Sequence, residues 1–230
     1  MSEGPGNAPH DRKRATGWLL AIVAQFAFLG WMVGAQERLL ATGESVVLAV
    51  APVDPFDPLA GRYLAIRAEL SRLDLAAFEA AGHSIVVGAD VPPAAVNGEP
   101  LLRFAGRPAA LELAREGSPR AAHRLLIGAA AAEARPPFLA SRVLWSNQGL
   151  LELDLGLDRY YIPGDAEDPT LWWNREIDGR TQRPTLTLVV RVTAEGKSAI
   201  EELLVDGVPY PEWNRSEQAR LARERATERK

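Results

Sequence analysis

Residues 53–74 read VDPFDPLAGRYLAIRAELSRLD, and this stretch sets the fold class. Pro52, Pro55 and Pro58 fix φ and withhold backbone donors, so 51–60 is expected to be loop, neither helix nor interior strand. After Gly61 the pattern changes at once. Leu64, Ile66, Ala68 and Leu70 alternate with Ala65, Arg67, Glu69 and Ser71, the period of a half-buried strand with one wet face. Tyr63 is delivered onto that strand, and its loss is expected to cost what a core aromatic costs.

Working outward, the N-terminal side carries a tether. Residues 17–35 contain no charged side chain and one amide, Gln25. As a helix they span roughly 28 Å, the thickness of a bilayer's hydrocarbon core. Trp18 and Trp31 lie near the two ends, where indoles favour the headgroup region. Arg12, Lys13 and Arg14 precede the span, and only Arg38 follows it before Pro55. The positive-inside rule therefore expects residues 1–16 in the cytoplasm and the bulk of the chain outside. Val33 and Ala35 also fit a cleavage site before Gln36, but the apolar run exceeds the usual signal-peptide length, so a retained signal-anchor is expected. The helix continues or frays through 37–42 and stops at Gly43.

On the C-terminal side the periodicity is that of a mainly β domain over 43–213. Its sheets are expected to be antiparallel, sandwich- or barrel-like, with little helix beyond the anchor. Residues 45–51 (SVVLAVA) form a first strand. Residues 75–81 suit one or two helical turns ending at Gly82, and 85–87 a short strand. Residues 109–114 and 124–130 are expected as strands around the turn at 116–119, although the alanine run 129–134 suits helix nearly as well. Residues 142–145 and 150–155 form a hairpin, and 165–178 a loop or short helix carrying Trp172 and Trp173. In 158–163 (DRYYIP), Tyr160 and Tyr161 point to opposite faces, one core and one rim. Residues 186–192 and 199–205 form a second hairpin, followed by the turn Asp206-Gly207. Residues 214–230 hold six basic and three acidic side chains with almost no apolar face, a solvated helix or a disordered tail.

Composition narrows the chemistry. The chain has 230 residues, 47% hydrophobic, with a net charge of −4, which argues against nucleic-acid binding, since that needs a basic face. Cysteine is absent, which removes disulfides, thiolate metal sites and cysteine nucleophiles together. Its excess of arginine over lysine fits a high-GC bacterial genome. Lys197 is the one lysine within 43–213 and sits beside a turn, where it cannot serve as an unprotonated catalytic base. His83 and His123 neighbour no nucleophile motif and are expected at the surface, not as metal ligands. No phosphate-cradling glycine loop, zinc spacing or small-molecule site is identifiable, and no cofactor or metal is expected. Asp54 and Asp57 precede or flank prolines and are read first as turn-capping residues.

With these residues in view, the chain resembles the GDYXXLXY proteins, bacterial membrane-anchored proteins of uncharacterised function. Gly61 and Tyr63 match the family pattern by identity, and Ile66 stands for its leucine. Arg62 replaces the acidic residue and Ala68 the final tyrosine, so a role that needs a carboxylate at 62 is not carried over. The preceding Asp54 to Asp57 loop supports the match, as does 158–163, with Arg159 and Tyr160 in the family's later segment. The resemblance implies a structural or interaction role for Asp54, Asp57, Gly61, Tyr63, Ile66, Arg159 and Tyr160. It also allows a multi-pass protein in the same membrane as partner.

Two functions of different class remain open. One is a non-enzymatic, single-pass subunit of the bacterial cytoplasmic membrane whose outer β-domain binds a partner. The other is an exported hydrolase using carboxylates near Asp54 and Asp57. An exposed aromatic patch beside the proline loop would favour the first. A deep pocket holding a carboxylate of raised pKa would favour the second.

Overall fold

The computed structural model describes residues 8–53, 63–91, 105–147, 149–164, 166, 175–177, 180–182 and 184–228. Asp54, Asp57, Gly61, Arg62, Trp172 and Trp173 lie outside the described residues.

The uncharged run is helical because nothing in it breaks a helix, and the helix extends past both of its ends. From residue 17 onward helix α1 (Ala8–Thr42) is exposed, save for the half-buried Leu39 and Leu40. Gly17–Thr42 is long and apolar enough to cross a membrane. At its end the Gly43 N–H donates to the Leu39 carbonyl at 2.9 Å. A Cβ on Gly43 would lie 2.8 Å from that oxygen and 3.0 Å from the Val192 nitrogen, so this junction admits only glycine without a shift. Strand β1 (Glu44–Pro52) starts on the next residue. Helix and domain are thus joined without a linker.

Val46, Leu48 and Val50 of β1 are buried, and the strand lies in the interior of the first sheet. The other strands of that sheet are β2 (Tyr63–Ala68), β9 (Arg159–Tyr161), β12 (Leu186–Val192), β13 (Ser198–Val205) and β14 (Val208–Pro209). Their order is β14-β13-β12-β1-β2-β9, every pair antiparallel. The second sheet contains β3 (Arg72–Asp74), β4 (Ser84–Val87), β5 (Pro108–Leu113), β6 (Ala122–Ile127), β7 (Phe138–Asn147) and β8 (Leu150–Asp154). It runs β3-β8-β7-β5-β6-β4. One core cluster draws Val46, Leu48 and Leu188 from the first sheet and Leu111, Leu125 and Leu151 from the second, so the two sheets face each other across it. A separate hairpin joins β10 (Arg175–Ile177) to β11 (Arg180–Gln182), placing strand in a segment expected as loop or helix.

Three local expectations are corrected. Ala51 and Pro52 belong to β1, paired with Arg67 and Ile66. The register with β12 ends at Val50↔Leu186, so Pro52 has no ladder bond to lose on that side. The strand after Gly61 ends at Ala68, not Ser71: a 3-10 turn (Glu69–Ser71) carries the chain from one sheet to the other. The pair β4 and β6 is parallel, in a fold otherwise antiparallel among the described residues, because β5 intervenes between them in the chain.

Local chemistry explains the remaining elements. Helix α2 (Leu75–Ala80) is capped by Asp74, whose carboxylate accepts from the Ala77 N–H at 3.0 Å. The alanine run is neither strand nor α-helix but a 3-10 segment (Gly128–Glu133), placed over the outer face of the second sheet. Beneath it Ala110, Leu126, Ala130 and Phe138 form a small second core. The C-terminal segment is helix α3 (Tyr210–Glu228), rooted by Tyr210, which is buried, and by the half-buried Trp213.

Asp90 fastens the 3-10 segment. Its Oδ1 accepts from the Ala129 N–H at 2.7 Å, and its Oδ2 accepts from Arg107. The Ala129 amide holds the Asp90 carboxyl below its ordinary value; loss of hydration opposes this and Arg107 adds to it. A lowered acid contributes stability above its unfolded pKa and loses it as pH falls through the folded one. The difference in melting temperature between wild type and Asp90→Asn should therefore be full at neutral pH and shrink on acidification below about pH 4. A difference that is flat across that range would mean the ion pair and cap are not what Asp90 contributes.

Candidate functional site

The two family segments, 94 or more residues apart in the chain, are neighbours in one sheet. Tyr63 pairs with Tyr161, Leu64 with Tyr160 and Ala65 with Arg159. Their side chains then divide by the period of two. Leu64, Ile66 and Ala68 are buried in the core, while Tyr63, Ala65 and Arg67 are half-buried on the opposite face. Tyr63 is therefore not the core aromatic the sequence leads one to expect. It lies one residue out of phase with the buried positions. Ile66 and Tyr63 do not share a site: one holds the sheets together and the other faces outward.

On the outward face the Tyr63 and Tyr161 rings are 6.1 Å apart, and the Arg159 guanidinium lies 5.4 Å from the Tyr63 ring centre. Tyr161 is 65% exposed. The rim tyrosine is thus 161 and the inner one 160. A side-chain hydrogen bond to Tyr161, then the Asp158 carboxylate at 3.4 Å, holds the Arg159 pKa above its ordinary value. Tyr160 meets Tyr210 edge-on at 5.7 Å, and Tyr210 stacks on Trp213 at 6.0 Å. Burial pushes the Tyr160 hydroxyl up, the Glu202 carboxylate adds to this, and a backbone hydrogen bond at Leu203 opposes it.

Beside the outward cluster a cleft of about 410 Å³ opens where the chain crosses between sheets, with Tyr63, Arg67, Ser71, Glu152, Asp158 and Arg159 in its walls. Arg67 Nε and Glu152 Oε1 are 3.9 Å apart across it. The charges are mixed, so the cleft suits a polar surface more than a single ion. Among the described residues no group of three or more His, Asp or Glu side chains is placed to hold a metal ion.

The sequence reading placed His123 at the surface and overlooked its neighbour. Glu112 is buried on the outer face of β5, accepting from the Arg135 N–H at 2.8 Å and from Arg124 at 3.4 Å, with His123 Nε2 at 3.6 Å. The signal available was one acidic residue, next to last in an otherwise apolar strand. Satisfied by three groups, Glu112 reads as a structural staple.

Fold and cluster together define a two-sheet β domain preceded directly by one helix long and apolar enough to cross a membrane. The family model described as "GDYXXLXY protein" matches residues 25–203, more than half of the chain. The chain belongs to the GDYXXLXY family. No curated protein and no solved structure matches it.

Proposed function

We propose that the chain is a non-enzymatic, single-pass subunit of the bacterial cytoplasmic membrane, with its anchor retained and its β-domain outside. The outward Tyr63, Arg159 and Tyr161 cluster binds a partner protein. The observation that carries this reading is the exposure of Tyr161 beside Arg159. A rigid aromatic ring and a guanidinium, both open to solvent, are the side chains that most often anchor protein interfaces. The cluster begins at the end of β1 opposite the anchor, with nine strand residues, about 30 Å, between them. It is therefore suited to a partner's extramembrane part. Arg12, Lys13 and Arg14 support the inward N-terminus. The alternative, an exported hydrolase, would rest on Asp54 and Asp57, which lie outside the described residues.

The test uses the full chain with a reporter fused after Lys230 that is active only outside the cytoplasm, isolated from detergent-solubilised membranes. The reporter should be active, and one specific protein should co-purify with wild type and fall at least fivefold with Tyr161→Ala plus Arg159→Ala. An inactive reporter would reverse the orientation. Equal recovery with both forms would remove the cluster as the binding surface.

A further inference from the structure

The helix carries a polar group that the β-domain does not use. Gln25 lies about 12 Å along the helix from Gly17, close to the middle of the span. Every residue from 17 to 38 is exposed, so no element of the chain packs on it. Hydrocarbon offers an amide no hydrogen bond, and an unsatisfied amide there is costly. At 3.5-residue spacing Trp18, Ala21, Gln25, Phe28 and Met32 share one face of α1, with Gln25 at its centre and the small Ala21 one turn away.

That face has a direction relative to the domain. Leu39 and Leu40, the half-buried residues of the helix, flank the same side as Gln25, and the helix end touches β12 and β13 there. The domain thus leans over the Gln25 face. A second copy paired on this face would bring two domains into the same space above the membrane. A segment that stays within the bilayer fits beneath the overhang.

We infer that the Gln25 face receives a transmembrane helix of another protein, one that presents a hydrogen-bonding side chain at mid-membrane depth. The amide both donates and accepts, so it pairs with a hydroxyl, an amide or a carboxyl. This inference rests on the proposed anchoring. It is independent of the Tyr161 cluster.

The experiment places a photocrosslinking residue in the full chain in native membranes. Positions Ala21 and Phe28 report the Gln25 face; Ala27 and Gly34 report the other, since Gly34 is about half a turn from Gln25 at 3.6 residues per turn. Ala21 and Phe28 should give an adduct with one other protein, and Ala27 and Gly34 should not. Gln25→Leu should reduce that adduct at least fivefold, and Gln25→Asn should largely keep it. Adducts of two copies of this chain would overturn the inference, as would adducts indifferent to face or to Gln25→Leu, or no adduct at all. Release of the chain by alkaline carbonate would overturn the anchoring and the inference with it, whereas an embedded chain without the adduct overturns the inference alone.

Discussion

Ile66→Ala should lower the unfolding free energy by about 3 kcal/mol, while Tyr63→Ala should lower it by about 1 kcal/mol, although the family pattern names both positions. Ile66 is 2% exposed and packs in the cluster shared by both sheets. Removing its side chain loses apolar burial and leaves a cavity that two facing sheets cannot collapse to fill. Tyr63 is half-buried on the other face, where its ring meets the Tyr161 ring at 6.1 Å and the Arg159 guanidinium. Solvent replaces part of what its loss removes. Urea unfolding of the two variants measures both values. A Tyr63→Ala loss equal to that of Ile66→Ala would mean that the ring is a core residue, and the outward reading of the cluster would fall.

Gly196→Ala should be the more damaging of the glycine substitutions, lowering stability by roughly 3 kcal/mol or more. Gly196 has φ +77, and a Cβ there would meet Phe138 Cε2 at 2.2 Å and the Ala140 nitrogen at 2.9 Å. The Ala140 N–H donates to the Gly196 carbonyl at 2.9 Å, so the turn between β12 and β13 is fastened to β7 of the opposite sheet. The ring could swing aside, but the backbone nitrogen could not without breaking that bond. Gly207→Ala is the control. Its φ is +79 and nothing lies within 4 Å of a Cβ, so it should show the backbone strain alone, about 1 kcal/mol. Thermal melts of both variants separate strain from collision. Equal losses would show that Phe138 does not confine the turn.

The candidate site was legible in part. The pairing of 63–65 with 159–161 has no local signal, because antiparallel register between distant segments is set by whichever edges the whole sheet leaves open. Tyr160 and Tyr161 were assignable to opposite faces from the period of two, and the outer one proved to be Tyr161. Tyr63 was misjudged because an aromatic at a strand start carries no phase mark of its own; its phase is set by Leu64 and Ile66. Glu112 was missed because its three partners come from β6 and from the segment after it, and only the assembled sheet brings them together.

What the sequence by itself determined is everything that depends on a run or a period: the uncharged helix, the stop at Gly43, the alternating strands, the Asp206-Gly207 turn and the mainly β class. These are one-dimensional signals, read from residues within a turn or a pleat of each other. Only the tertiary structure decided the strand order, the parallel edge strand β4, the crossing at Glu69–Ser71 and the side of the helix over which the domain leans. Those features depend on contacts between residues far apart in the chain. Many alternative sheet orders bury the same apolar faces nearly as well, so hydrophobic pattern alone does not choose among them.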